Sequence, residues 1–124
     1  MFQQEGMRLQ RPTGKKSIIK KNGKAMQITK FENGESLTLA VEGIIDSTTA
    51  PDFETEMIDA CGKTKDLVVN FAKVDFISSA GLRVLLLTQK KLAAAAGKMT
   101  LVNVNDDVRE VFELTGFVNV LNIA

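Results

Sequence analysis

The chain has 124 residues, 44% of them hydrophobic and 25% charged, with no histidine and a single cysteine, the composition of one ordinary globular domain. Without histidine there is no imidazole base and no Ser-His-Asp triad, and one cysteine allows neither an internal disulfide nor a conventional zinc site. The net charge of +1 hides a division: seven basic residues up to Lys24 face Glu5 alone, giving +6, while the other nine basic and fourteen acidic residues give −5.

That division predicts a flexible basic arm over residues 1–24 and a folded body over residues 25–124. The arm suits a peripheral contact with anionic lipid or an acidic partner. It has no aromatic residue among residues 15–24 on which a base could stack, so direct nucleic-acid binding is not expected. No run approaches the ~18 to 20 apolar residues of a membrane span, and the longest candidate, residues 81–96, is broken by Arg83, Gln89, Lys90 and Lys91. Residues 1–12 lack the apolar centre of a secretory signal. The cytoplasm is therefore the expected location, and the lone Cys61 reads as a small buried hydrophobe at a helix end in a reducing compartment.

Beyond Lys24 the pattern becomes regular. Met26 and Ile28 alternate with polar residues and lead to Asn33-Gly34, a strong hairpin-turn signal. Residues 36–42 alternate cleanly, with Leu37, Leu39 and Val41 on one side, which predicts a strand with one apolar face. A loop over residues 43–50 follows, and Thr49 with Asp52 predicts a cap for a helix running to about Cys61, with Phe53, Met57 and Ile58 as its apolar face. Residues 66–71 contain Leu67-Val68-Val69, the mark of a central strand covered on both faces.

Ser78 and Ser79 open a long helix in which Leu82, Leu85, Leu86, Gln89, Leu92, Ala93 and Ala96 recur at helical spacing. Gly97 is placed to end it in a left-handed conformation. Residues 99–104 read as a strand. Asn105 caps a short helix bearing Val108, Val111 and Phe112, Gly116 closes it, and residues 118–123 read as a last strand. The order predicts an α/β fold: a mixed open sheet of about five strands, an N-terminal hairpin and then alternating helices and strands, with helices packed against it.

Three segments invite a chemical reading. Gly62-Lys63-Thr64 imitates the end of a phosphate-binding loop, but Met57 stands where the first glycine is needed and the segment follows a helix. Asp46 lies in a strand-to-helix loop, where α/β proteins gather functional groups, and where an aspartate also bonds its own backbone. The third is Phe76-Ile77-Ser78-Ser79-Ala80-Gly81-Leu82. Glycine in a helix costs about 1 kcal/mol relative to alanine, so Gly81 predicts a close approach by another backbone or a nucleotide. The helix N-terminus also favours an added phosphate. An enzyme built on Asp46 and Ser79 would lack a base near neutrality, so no catalytic residue, metal site or cofactor is assigned.

These residues resemble the STAS domain of anti-sigma factor antagonists and sulfate transporters. Phe76-Ile77-Ser78-Ser79-Ala80-Gly81-Leu82 is similar to that family's aromatic-x-Asp/Ser-Ser-x-Gly-Leu signature, Val41-Glu42-Gly43-Ile44-Ile45-Asp46 to its Gly-x-Leu/Ile-Asp element, and Leu114-Thr115-Gly116-Phe117 to its late Leu-x-Gly-hydrophobic turn. The resemblance implies a bacterial partner switch. The unmodified antagonist binds an anti-sigma factor that is also a serine kinase, freeing the sigma factor. Phosphorylation of one serine by the kinase, using ATP and magnesium, breaks the complex, and a serine phosphatase resets it. By position the phosphoacceptor is Ser79, and Ser78 stands where the best-studied members carry aspartate. The implied partner surface comprises Asp46, Thr48 and Thr49 on one loop and Ser78, Ser79, Ala80, Gly81 and Arg83 on the other. The same resemblance admits a second role, a non-switching subunit supporting a membrane transporter or a lipid-transport complex. No feature of the sequence bears on oligomeric state.

Overall fold

The computed structural model describes residues 18–21 and 26–124. Strand periodicity sets its architecture. In β1 (Ile18–Lys21), β2 (Met26–Asn33), β3 (Ser36–Ile45), β4 (Asp66–Ile77) and β5 (Lys98–Val102) the strands lie side by side in chain order. β1, β2 and β3 are antiparallel neighbours, and β3, β4 and β5 are parallel. Met26 and Ile28, Leu37, Leu39 and Val41, Leu67, Val69 and Phe71, and Met99 and Leu101 are all buried. Each set has period two, so each puts its apolar side chains on one face of the pleat.

That face carries the helices α1 (Ala50–Cys61), α2 (Ser79–Ala94) and α3 (Asp106–Thr115). Phe53 and Met57 of α1 and Leu82, Leu85 and Leu92 of α2 join the same core, and the two helices pack on one another. Phe112 of α3 meets Phe71 of β4 with ring centroids 6.3 Å apart and planes tilted by 49°, an arrangement worth ~0.5–1.5 kcal/mol beyond the area buried. Asn105 caps α3 by accepting the Val108 N–H at 2.8 Å, while its Nδ2 donates to the Val74 carbonyl at 2.8 Å. Gly116 closes the helix at φ 82°.

The hairpin, the one-faced β3 and the central place of β4 match the sequence reading, as does a five-stranded sheet. Its membership differs. Residues 118–123 form no strand: after Gly116 the Phe117 carbonyl accepts both the Val120 and Leu121 N–H groups, winding a short 3-10 turn over Phe117–Asn119, and only Ile123 bridges Leu101. The fifth strand is instead β1, from within the arm, which pairs with β2 from Ile18↔Thr29 to Lys21↔Met26. Ile18–Lys21 of the expected arm is thus a strand of the sheet, and the rest of residues 1–24 lies outside the described residues.

Other boundaries move for local reasons. β3 and β4 run on to Ile45 and Ile77 because register shifts at Ala40/Glu42 and Gly43/Ile44 absorb the irregularity, with Gly43 at φ 105°. Asn103, at φ 58°, ends β5 two residues early. α2 stops at Ala94, and the left-handed residue after it is Ala96, not Gly97. Gly97 is needed for space, since a Cβ there would lie 2.6 Å from the Lys65 carbonyl oxygen. The buried stripe of α2 is also rotated from the expected one: Val84 and Thr88 are buried, whereas Ala93 and Ala96 are exposed. Thr88 is tolerated because its hydroxyl donates to the Val84 carbonyl at 2.8 Å. Among the described residues no helix covers the second face of the sheet, so Val68 is only partly buried.

On the helix-bearing face Lys30 stands where an apolar residue would be expected. Its ammonium lies 2.7 Å from Glu56 and 3.0 Å from Asp59 of α1, with the Lys30 and Glu56 side chains each only 14% exposed. Burial pulls the Lys30 pKa down, but its bonds to the two carboxylates outweigh that and raise it above 10.5. Asp59 is held below 3.8, first by Lys30 and further by Lys63. Stabilisation through Lys30 is thus complete below pH 10.5 and lost as pH rises through its higher folded value; that through Asp59 is complete above 3.8 and lost as pH falls through its lower one. Lys30→Met leaves Glu56 without its partner and should lower stability by about 1–3 kcal/mol in urea unfolding at neutral pH, and Glu56→Leu added to it should recover part of the loss.

Candidate functional site

The ends of β3 and β4 bring the two signature loops together. Ile45 pairs with Ile77 in the parallel ladder, and the Ser78 N–H donates to the Ile45 carbonyl at 2.8 Å. Asp46 and Ser79 are the next residues along each chain. They lie at the carboxyl ends of adjacent parallel strands, where open α/β sheets place their binding sites. Gly81 fixes how closely α2 can approach. A Cβ on it would lie 2.6 Å from Ile45 Cγ2 and 2.7 Å from Ile77 Cγ1, so the close approach predicted from the sequence is made by the protein's own isoleucines.

The first loop is a closed hydrogen-bonded unit. Asp46 Oδ1 accepts the N–H groups of Thr48 at 2.9 Å and Thr49 at 3.2 Å, the Asx turn anticipated for it. Thr49 receives the Asp46 N–H on its Oγ1 at 2.9 Å and donates to the Ile44 carbonyl at 2.9 Å. Its hydroxyl therefore makes no cap bond to α1, contrary to the predicted capping pair. Thr49 is fully buried, and so shapes the loop without meeting a partner, whereas Thr48 is exposed.

The second loop distinguishes its two serines. Ser78 has the extended backbone of a helix cap, φ −96° and ψ 177°, yet its side chain makes no cap bond, and its Oγ is buried without a hydrogen-bond partner. Ser79 is exposed on the first turn of α2. Ala80 is partly buried, Gly81 is buried, and Arg83 is exposed one turn beyond Ser79, on the same side of the helix. Ala80, Arg83, Val84 and Leu87 of α2 form one wall of a groove of about 380 Å³, with Ser47, Ala50, Pro51 and Glu54 opposite.

A family model for the STAS domain matches residues 27–124. The chain belongs to the STAS domain family. A protein of Bordetella bronchiseptica, BtrV, named as an anti-sigma factor antagonist, is 34% identical over 100 residues, which is 80% of this chain and 86% of BtrV. The crystal structure of an anti-sigma factor antagonist from Mycobacterium paratuberculosis superposes with a TM-score of 0.73 at 25% identity, covering 80% of this chain and 85% of that one. The Bacillus cell-fate determinant SpoIIAA in its phosphorylated form shares the fold at a TM-score of 0.63 and 24% identity, covering 81% and 91% of the respective chains.

In this STAS domain, two residues that the sequence analysis read only as parts of motifs prove to be exposed at the strand ends. Phe76 is 49% exposed and Ile44, its ladder partner, 38% exposed, an apolar pair beside both loops. The run from Val74 to Ile77 carried the signal, because its burial breaks strict alternation and turns Phe76 outward. Leu87 was hidden by the rotated stripe of α2. Cys61 ends α1 with its thiol 4.0 Å from the Thr88 carbonyl, and burial pushes the thiol up despite the charge of Lys91, the environment of an unreactive cysteine. Among the described residues no group of His, Cys, Asp and Glu is arranged to hold a metal ion, and no helix is long and apolar enough to cross a membrane.

Gly81→Ala tests the packing of the site. The gain in helix propensity is about 1 kcal/mol, but overpacking against two branched side chains typically costs ~1–3 kcal/mol. The urea midpoint should fall; a rise would mean that α2 is not pressed against Ile45 and Ile77.

Proposed function

We propose that this STAS domain is a cytoplasmic anti-sigma factor antagonist whose unmodified form binds an anti-sigma factor serine kinase and so releases the sigma factor. Phosphorylation at Ser79 switches that binding off, and a serine phosphatase restores it. The domain is substrate and ligand in this scheme and needs no catalytic residue of its own. The carrying observation is the contrast between the two serines: Ser79 is exposed on the first turn of α2, while the Ser78 hydroxyl is buried. The naming of BtrV as an anti-sigma factor antagonist, and of SpoIIAA in a phosphorylated form, supports the same reading.

The physics follows from charge. A phosphate adds roughly −1.5 to −2 near neutral pH, on a helix start whose free N–H groups and positive dipole end tolerate it. The same charge arrives beside the Asp46 loop and the exposed Phe76 and Ile44, on a surface suited to docking. Repulsion and desolvation there expel a partner while the fold, held by buried residues behind the site, stays intact. Arg83 and Ala80, neighbours of Ser79 on α2, and the exposed Thr48 of the Asp46 loop serve as partner contacts; Gly81, Thr49 and Asp46 hold the two loops in place.

Ser79→Asp should weaken partner binding at least tenfold, about 1.4 kcal/mol, with little change in thermal stability, and Ser79→Ala should bind like the parent. Pull-down with quantitative mass spectrometry measures both, and equal affinity of the two variants would remove the switch. Peptide mapping after treatment with the kinase should find phosphate on Ser79. Labelling confined to Ser78 would overturn the assignment.

A further inference from the structure

The sheet face opposite the helices lies outside the proposed switch. Parallel strands occur almost only in sheets covered on both faces, yet α1, α2 and α3 join a single core on one side of β3, β4 and β5. Among the described residues the other side has no cover. Its middle carries Thr38, Ala40, Val68 and Asn70, all partly buried, and its site end carries the exposed Glu42, Ile44, Lys73 and Phe76. Ala40, Glu42, Asn70 and Lys73 also border a groove of about 230 Å³.

We propose that this face packs on the same face of a second copy, in a two-fold dimer whose axis runs between β3 and β4 and parallel to them. The register supplies the argument. Such an axis lays β3 of each copy over β4 of the other at the same level along the strands, so each outward residue meets the ladder partner of its own equivalent. Those partners are Thr38↔Val68, Ala40↔Asn70, Glu42↔Lys73 and Ile44↔Phe76. Each pairing is complementary. Methyl groups meet at Thr38 and Val68, opposite charges at Glu42 and Lys73, and two exposed apolar side chains at Ile44 and Phe76. Ala40 meets Asn70, whose Oδ1 already accepts the Asn103 amide and the Ala72 N–H. The symmetry makes every contact twice, and the Lys73 stem of one copy lies in the groove of the other, over Ala40.

The remaining charges are compatible with this arrangement. Asp66 and Lys98 are ladder partners at the far end of the strands, where Asp66 falls opposite Ser36. Asp75 is skipped by the register between Val74 and Phe76 and has no counterpart on β3. Among the described residues neither Glu42 nor Lys73 makes an ion pair within its own chain. The strands β2 to β5 have 8, 10, 12 and 5 residues. At ~3.3 Å per residue and ~4.8 Å between strands they offer on the order of 550 Å². Two copies thus bury roughly 1,100 Å², just above the ~1,000 Å² that a specific interface needs, so the dimer is concentration-dependent. It shares Ile44 and Phe76 with the docking surface of the Ser79 switch but does not rest on that reading.

The test is sedimentation equilibrium of the full chain over a range of concentrations, with charge-swapped variants. The parent should show a reversible equilibrium between monomer and dimer. Glu42→Lys and Lys73→Glu, both at exposed positions, should keep the parent's circular dichroism. Each should weaken self-association at least tenfold, because like charges then meet across the axis. Mixed in equal amounts, the two variants should form a mixed dimer at least as tight as the parent, since every swapped charge then faces its opposite. A parent that stays monomeric at the highest concentration would overturn the proposal, as would a mixture no tighter than either variant alone. Self-association unchanged by both substitutions would also overturn it, by placing the contact elsewhere on the surface.

Discussion

Everything at the signature end of this domain depends on how closely α2 lies over the ends of β3 and β4. The absence of a side chain at Gly81 permits that distance, with Ile45 and Ile77 filling the space a methyl group would need. The Ser78 N–H to Ile45 carbonyl bond then ties helix start to strand end. Once these are set, the two loops have little freedom: one closes on itself through Asp46 and Thr49, and the other exposes Ser79 and turns the Ser78 hydroxyl inward. Ser79 thus sits on a platform held by backbone hydrogen bonds, where the charge added in the proposed switch would act on a partner and not on the fold.

The same one-sidedness organises the rest. All three helices share a single core layer with the sheet, and Lys30 extends that layer's edge by pairing with Glu56 and Asp59 where apolar contact gives way to solvent. The ion cluster at this border ties β2 to α1, and its net stabilisation is limited because partly buried pairs lose solvation as they gain attraction.

Much of this was legible in the residues. Period-two patterns located β2, β3 and the first half of β4, Asn105 and Gly116 bounded α3, and the Ser-Ser-x-Gly run marked the start of α2. What was missed came from tertiary effects. The bulges that carry β3 and β4 past Glu42 and Phe71 follow from pairing, which local alternation does not encode. The terminal strand gave way to a 3-10 turn because Gly116 redirects the chain and the Phe117 carbonyl captures two donors. β1 was hidden because Lys20 and Lys21 mask a short edge strand within a basic run. At the site, the order Ser78-Ser79 was visible, but which hydroxyl faces solvent depends on the pitch at which α2 leaves the sheet. Phe76 was read as part of a motif, while its exposure arises from a break in the strand's alternation.

The two edges of the sheet are not equivalent. Along β5, the Leu101 N–H donates to the Asn122 carbonyl and the Leu101 carbonyl accepts the Ala124 N–H, so the last residues occupy that border with their own backbone. β1 ends the sheet on the other side. Unpaired strand edges are templates for runaway assembly, and the pairing at Leu101 interrupts such a template along β5. Among the described residues, β1 is therefore the edge more open to the addition of a further strand.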